Sequence, residues 1–276
     1  MPELPEVETI VRGLRKKLRF LEFSQVEVHL EKCLVGSRRS LLASLKGRKI
    51  LRVERRGKNI IFHLSGGFAL LIHLRMSGRL GFVPAPTPPE KHTHVIFSFK
   101  NHPCQLRFSD TRQFGRLFVE KKGAGDQLIS LARLGPEPFE ISAKDFIQRT
   151  RSKRRAIKPL LLDQGFLAGV GNIYADEALH QARIHPRRKA DRLPEEALLR
   201  LHRALQRILH AAIRAGGTSV RTYVDANGAT GKFQGSLRVY GREGEGCRSC
   251  GAPIIRKHVA GRSSFFCSRC QPPPRM

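Results

Sequence analysis

The chain has 276 residues, of which 40% are hydrophobic, and 51 lysines and arginines face 23 aspartates and glutamates for a formal net charge of +28. That apolar fraction fills one or two packed cores, which excludes a disordered chain, and no apolar run reaches the roughly 18 residues of a membrane-spanning helix. A positive excess of this size repels itself unless a polyanion screens it, so nucleic acid is the expected partner; ribosomal, chromatin and heparin-binding proteins share the signature.

The N-terminal text MPELPEVE has neither the basic start nor the apolar stretch of a secretory signal, so a soluble, cytoplasmic protein is expected. Val7, Ile10, Val11, Leu14 and Leu18 recur at helical spacing, and Pro5 suits a first helical turn, where its missing N–H costs nothing. The chain therefore opens on an amphipathic helix. From Val26 to about Glu120 the text breaks into short β-type runs, VEVHL, NIIFHL, FALLIHL, HVIFSF, QLRFS and RLFVE, separated by glycine and proline, as in a β-sandwich or barrel. One short helix, around Ser40 to Leu45, interrupts them. LGPEPFE at 134–140 reads as a hinge, which places a boundary near residue 138. Helical patterns follow at Ala143 to Arg149, Ala156 to Asp163, Asn172 to Gln181 and Pro194 to Ala215. The glycine-rich DANGATGKFQG at 225–235 is a loop, a cysteine module closes the chain, and PPPRM reads as a frayed tail. No internal repeat is visible. Three domains are expected, at 1–138, 139–235 and 236–276.

Cys33 and Cys104 stand alone, whereas Cys247, Cys250, Cys267 and Cys270 form two CxxC pairs at the spacing of a four-cysteine structural zinc site, with a pair of disulfides as the alternative. Four protein ligands leave no position for water, so one Zn²⁺ holds shape and does no chemistry. Between the pairs, IIRKHVAGRSSFF reads as a hairpin with Gly261 at its tip, displaying Arg256, Lys257 and Arg262.

Loss of Met1 would leave Pro2 as a free secondary amine. An α-amino group titrates near about 8, against about 10 for lysine, so far more of it is unprotonated at neutral pH. Such an amine attacking a sugar carbon gives an iminium ion that permits β-elimination. Taken alone, Pro2 equally fits an ordinary residue at a frayed end. Glu3 is a candidate general acid if burial raises its pKa from about 4.3; the helix N-terminus beside it pushes the other way.

The start MPELPEVET, RRGK at 55–58, HLRMSG at 73–78, DTRQFG at 110–115, GVGNIYADEAL at 169–179, YGREGEGC at 240–247 and the CxxC pairs resemble, in order and spacing, the formamidopyrimidine-DNA glycosylases, bacterial oxidised-purine glycosylase/AP lyases. The resemblance implies an α+β multidomain fold: an N-terminal helix-capped β-sandwich, a helix-two-turn-helix domain and a C-terminal four-cysteine zinc finger, with damaged double-stranded DNA bound in the cleft between. It implies a monomer acting in base excision repair on 8-oxoguanine and formamidopyrimidines. By resemblance Pro2 is the Schiff-base nucleophile, Glu3 protonates or opens the sugar, Lys58 assists β-elimination and Arg262 contacts phosphate and assists the δ step. Met76, Arg112 and Phe114 match the residues that fill the hole left by a flipped nucleotide, and their types suit a pliant filler, a multi-donor fork and a flat wedge. Phosphate contacts by resemblance are His92, Arg112, Lys153, Lys158 and Asn172, with Arg262 in the finger. The glycine-rich loop matches the family's mobile cover over the extruded base, a plain linker being the alternative. Six to eight phosphate contacts imply a log–log salt slope of roughly −5 to −7. Gln113 departs from the family pattern, which carries a second basic residue there, and this puts one backbone contact in doubt. The endonuclease VIII branch, which takes oxidised pyrimidines, shares the nucleophile and finger but not the LPEVE start with the Met76, Arg112 and Phe114 set. A non-catalytic DNA-binding protein on the same scaffold would lack Pro2, Glu3 or Lys58.

Overall fold

The computed structural model describes residues 1–219, 223–226 and 228–273; Asn227 of the glycine-rich loop and the last three residues of the PPPRM tail lie outside the described residues. By contacts the chain divides into two compact units, Met1–Ala132 with Ala215–Lys232, and Arg133–Arg214 with Phe233–Met276.

The first unit opens with helix α1, Leu4–Leu18, whose apolar stripe of Leu4, Val7, Ile10, Val11, Leu14 and Leu18 is buried. Glu6 in its first turn and Arg15, Lys16 and Lys17 in its last complement the helix dipole. The helix stops because Arg19 is extended and Phe20 turns to φ +68°, giving its N–H to Ile50 O at 2.7 Å. Eight strands follow: β1 Phe23–Val28, β2 Ile50–Arg56, β3 Asn59–Leu64, β4 Phe68–His73, β5 Gly78–Pro84, β6 Thr93–Phe99, β7 Cys104–Asp110 and β8 Arg116–Lys121, with helix α2, Arg38–Leu45, between β1 and β2. They form two antiparallel sheets, ordered β1-β6-β7-β5 and β2-β3-β4-β8. One buried cluster joins the α1 stripe to Phe23, Val53, Ile60, Phe62, Leu70, Ile72, Val95, Phe97, Leu106 and Phe108 of both sheets. This is the helix-capped sandwich that the resemblance implies and one of the two folds, sandwich or barrel, that the β-type runs allow, with β2 and β5 added to the six read in the sequence.

The second unit holds α3 Ala143–Arg151, α4 Ile157–Leu161, α5 Asn172–Gln181, α6 Glu195–Arg214 and a hairpin of β9 Ile254–Val259 and β10 Arg262–Cys267. The segment read as a hinge is instead fastened inside this unit. Gly135 N–H donates to Gln164 O at 2.8 Å, Ala168 N–H to Pro136 O at 3.0 Å and Gln206 Nε2 to Pro138 O at 3.0 Å, and Glu137 is buried. Helix α5 is buried almost all round, from Ile173 to His180. A helix of that kind has no solvent face on which to place polar residues, so Asp176, Glu177 and His180 must find partners inside.

Candidate functional site

The turn between β2 and β3 contains only Gly57 and Lys58, since Arg56 pairs with Asn59. Such a two-residue hairpin turn requires a positive φ at its first central position, and Gly57 supplies +57°. Lys58 is therefore carried on a tight tip yet is buried, at 6% exposure. Arg55 ties that tip to α1: its Nε donates to Glu8 Oε2 at 3.0 Å and its Nη1 to Gly57 O at 3.0 Å. At the head of α1, Pro2 is buried and Glu3 is 2% exposed, so both groups expected to react are withdrawn from bulk water. Glu3 N–H donates to Glu6 Oε2 at 2.8 Å.

Glu6 escaped sequence reading as anything but a helix residue. Its other oxygen, Oε1, accepts from Thr218 N–H at 2.8 Å, and Tyr223 OH donates to Glu6 O at 3.3 Å. One buried carboxylate thus joins the backbone of the Pro2–Glu3 pair to the loop at 215–232, which explains why that loop belongs to the sandwich by contacts. Within the loop, Ser219 Oγ accepts from Gly231 N–H at 2.8 Å, and a Cβ on Gly231 would overlap the Gly217 carbonyl. Its described residues are held by specific bonds, unlike those of a plain linker.

Met76 and the Arg112–Phe114 segment sit on adjacent tips because β5 and β7 pair in the register Gly78 to Asp110. Asp110 shapes both tips. Its Oδ1 accepts from Ser77 Oγ at 2.5 Å and from Arg112 N–H at 3.1 Å, and its Oδ2 from Gly115 N–H at 2.7 Å. Gln113, at φ +58°, completes the turn. Met76 and Phe114 stand 41% and 44% exposed, large apolar side chains held in water, and the Arg112 guanidinium lies 5.0 Å from the Phe114 ring centroid. Half-buried His92 adjoins them, its carbonyl accepting from Asp110 N–H at 3.0 Å. At the adjoining end of β4, burial pushes His73 down to about 4, helped by Arg75 and Lys58, so its ring is neutral at physiological pH.

In the second unit, the sulfurs of Cys247, Cys250, Cys267 and Cys270 lie within 4.8 Å of one another, with Cys250 and Cys267 at 3.4 Å and Cys247 and Cys270 at 3.9 Å. Tetrahedral zinc with Zn–S bonds of about 2.3 Å sets sulfurs about 3.8 Å apart, so the cluster fits the ion. Ser249 N–H and Cys270 N–H point at Cys247 and Cys267 sulfurs, at 3.4 and 3.5 Å, the donors that thiolates need. His180 Nε2 lies 3.5 Å from Cys247 Sγ.

Three family models match in chain order: the formamidopyrimidine-DNA glycosylase N-terminal domain over residues 1–117, the formamidopyrimidine-DNA glycosylase H2TH domain over 134–224, and a zinc finger found in FPG and IleRS over 244–273. Formamidopyrimidine-DNA glycosylase of Pelotomaculum thermopropionicum is 48% identical over 274 residues, spanning 98% of this chain and 99% of that protein. The chain belongs to the formamidopyrimidine-DNA glycosylase family. Among solved structures, a mutant Lactococcus lactis FPG in complex with a Fapy-dG-containing DNA matches with a TM-score of 0.92 at 38% identity, over 99% of this chain and 100% of that one. Lactococcus lactis Fpg with an abasic-site-containing DNA matches at 0.91 and 39%, over 98% and 100%. The four cysteines hold one structural zinc.

The residues expected to contact phosphate divide. Lys153 and Arg154 are exposed and, among the described residues, have no acidic partner, whereas Arg155 pairs with Asp163 at 3.0 Å and Arg151 with Glu195 at 3.2 Å. Arg262 is exposed at the start of β10. Asn172, at the head of α5, gives one amide N–H to Ser263 O at 2.9 Å. Lys158 is a correction. Its side chain is fully buried, its ammonium lying 2.7 Å from Asp176 Oδ1 and donating to Ser263 O and Ser264 Oγ, each at 2.8 Å. With no exposed surface and these three partners around it, the ammonium has no open side to present to a phosphate. Taking Lys158 out of the contact set moves the expected salt slope about 0.9 closer to zero.

The same buried helix explains Glu177. Its carboxylate accepts three successive backbone N–H groups, Arg238, Val239 and Tyr240, at 2.9 to 3.0 Å, while burial pushes its pKa up. That fixes the chain entering the finger. Glu177→Ala takes a charged acceptor from three successive backbone donors, of which Val239 N–H is buried, so unfolding of the second unit is expected to become about 2 kcal/mol easier, read as a lower denaturant midpoint with an unchanged slope.

Proposed function

We propose that this chain excises oxidised purines, 8-oxoguanine and formamidopyrimidines, from duplex DNA and cleaves the resulting site by β,δ-elimination, as a base excision repair enzyme. The observation that carries the reading is the buried Pro2–Glu3 pair at the head of α1, in a chain of this family along its whole length.

Once Met1 is removed, the Pro2 nitrogen attacks C1′ of the flipped nucleotide, the C1′–base bond breaks, and the base leaves with the electron pair and takes up a proton. Glu3 delivers a proton to the sugar oxygen as the ring opens, which leaves a C1′ iminium on Pro2. Loss of a C2′ proton then expels the 3′ phosphate, with Lys58 assisting at its buried tip; a second elimination expels the 5′ phosphate, with Arg262 against it. Met76, Arg112 and Phe114 fill the vacated stack, and a flip costing a few kcal/mol requires some such filling. The loop at 215–232, bonded to Glu6, covers the extruded base. His92, Arg112, Lys153, Asn172 and Arg262 hold the backbone. The sequence segments 1–138, 139–235 and 236–276 are read as catalytic sandwich, helix-two-turn-helix domain and finger, with 133–138 packing within the second unit and the loop at 215–232 within the first. The reading takes the enzyme as a cytoplasmic monomer working on nucleoid DNA; no helix among the described residues is long and apolar enough to cross a membrane.

Borohydride added to Met1-free protein and an 8-oxoguanine:cytosine duplex is expected to trap a covalent protein–DNA adduct, and to trap far less on a duplex carrying an oxidised pyrimidine. Absence of the adduct refutes the Schiff-base chemistry, and equal trapping on both duplexes refutes the purine preference.

A further inference from the structure

Arg262 follows a two-residue turn, Ala260–Gly261, in which both residues have positive φ, at +48° and +74°, and it pairs with Val259. Such a turn is stiff, but it fixes Arg262 only relative to its own hairpin. What fixes the hairpin starts at the very next residue. Ser263 O accepts from both Lys158 Nζ and Asn172 Nδ2, at 2.8 and 2.9 Å; Ser264 Oγ lies 2.8 Å from the same ammonium; and Phe265 N–H donates to Asp176 Oδ2 at 3.0 Å. Three consecutive residues of β10 are thus gripped by one ion pair and one amide. Lys158 and Ser264 are fully buried and Asp176 is 1% exposed, while Arg256, Lys257 and His258 on the partner strand are exposed.

We propose that the buried Lys158–Asp176 pair is the positioning device for Arg262, clamping Ser263–Phe265 to α4 and α5 so that the Arg262 guanidinium meets the DNA backbone at a set height. The inference rests on the reading of Arg262 as a phosphate contact. A buried ion pair seldom stabilises a fold more than apolar residues of the same volume, because desolvation cancels the attraction; what it adds is direction. Here each charge has a backbone group of β10 as a second partner, so shifting the strand breaks bonds to both charges at once. Burial pushes the Asp176 carboxyl up, and Lys158 and the Phe265 N–H pull it back down, so the charge on Asp176 depends on the same two partners that hold β10. One peptide unit, about 3.8 Å between Cα atoms, separates Arg262 from the clamp, too little for a flexible link.

The test is a double-mutant cycle, with binding to a duplex carrying a tetrahydrofuran abasic analogue measured across a salt series. Asp176→Asn alone strands a buried ammonium and is expected to cost folding, so the working variant is Lys158→Met with Asp176→Leu, which removes both charges at similar volume and is accepted once its zinc content and Tm match the parent. In the parent, Arg262→Ala is expected to weaken binding about tenfold, the range of a charged hydrogen bond, and to lower the salt slope by about 0.9. In the Lys158→Met, Asp176→Leu background the slope is already lower by that amount and Arg262→Ala costs less than about twofold. An equal loss on Arg262→Ala in both backgrounds overturns the clamp while leaving Arg262 a phosphate contact. No loss in the parent overturns the Arg262 reading and the clamp with it. An unchanged salt slope in that Tm-matched background overturns the clamp and leaves the pair a purely structural element.

Discussion

Protein that retains Met1 is expected to form at least about 10³-fold less borohydride-trapped adduct than Met1-free protein, with DNA affinity changed by less than about threefold. With Met1 attached, the Pro2 nitrogen is an amide whose lone pair is delocalised into the carbonyl, so it cannot attack C1′. Every basic residue on the DNA-binding surface is untouched. Pro2→Gly should fall between the two. Its α-amine titrates near the same value, about 8, so it is still partly unprotonated at neutral pH. It is a primary amine without the ring that fixes the direction of the lone pair, and it leaves space where buried Pro2 packed. Mass spectrometry of the N-terminus beside trapping yield checks the order. Full trapping by Met1-retaining protein would move the nucleophile to a lysine, and Lys58, buried on its tight tip, would be the first candidate.

How much of this was legible in the sequence follows from where each residue's partners lie. Strands β3, β4, β6 and β8 announce themselves through short apolar runs, and β7 through the alternation of Leu106 and Phe108 with polar residues. β2 and β5 do not: both are edge strands, as β1 and β8 are, but these two spend their residues on charge, glycine and proline. An edge strand tolerates glycine and proline and wears charge on its open side, so ILRVERR and GRLGFVP lack the apolar run. The finger was legible because its ligands come in local pairs. The wedge was named through resemblance alone; only the Gly78 to Asp110 register and the Ser77–Asp110 bond account for Met76 and Phe114 standing together in water. Lys158 reads as a phosphate contact because RSKRRAIK looks uniformly basic, while the acid that claims its last lysine lies on another helix. Glu6 and Glu177 were passed over for a related reason: their partners are backbone N–H groups of distant loops, which no side-chain pattern reveals. LGPEPFE has hinge composition, yet its carbonyls and amides are spent on the α3–α6 body.

Removal of zinc should abolish tight binding to lesion duplex, by more than about a hundredfold, before the sandwich unfolds. The metal-free finger retains a core of only Val239, Cys247, Ile254 and Cys267, far too small to stand alone. It keeps anchors: Glu177 on Arg238–Tyr240, Asp176 on Phe265, and Gln271 Nε2 on Ile184 O at 2.8 Å. Hydrogen bonds of this kind contribute about 1 to 3 kcal/mol each, whereas structural zinc contributes roughly 10 to 16 kcal/mol to folding its site, so the anchors do not replace the ion. Four thiols left within 4.8 Å of one another also lose the charge that drew Ser249 and Cys270 N–H towards them. The hairpin then loses its register against α5 and Arg262 loses its place. The sandwich has its own core and no share in the metal, so its melting transition should stay within a few degrees of the zinc-loaded protein's. Calorimetry and binding on the same chelated sample separate the two effects. Unchanged affinity without metal would remove the finger from DNA recognition, and a lowered sandwich transition would show that the two units do not unfold independently.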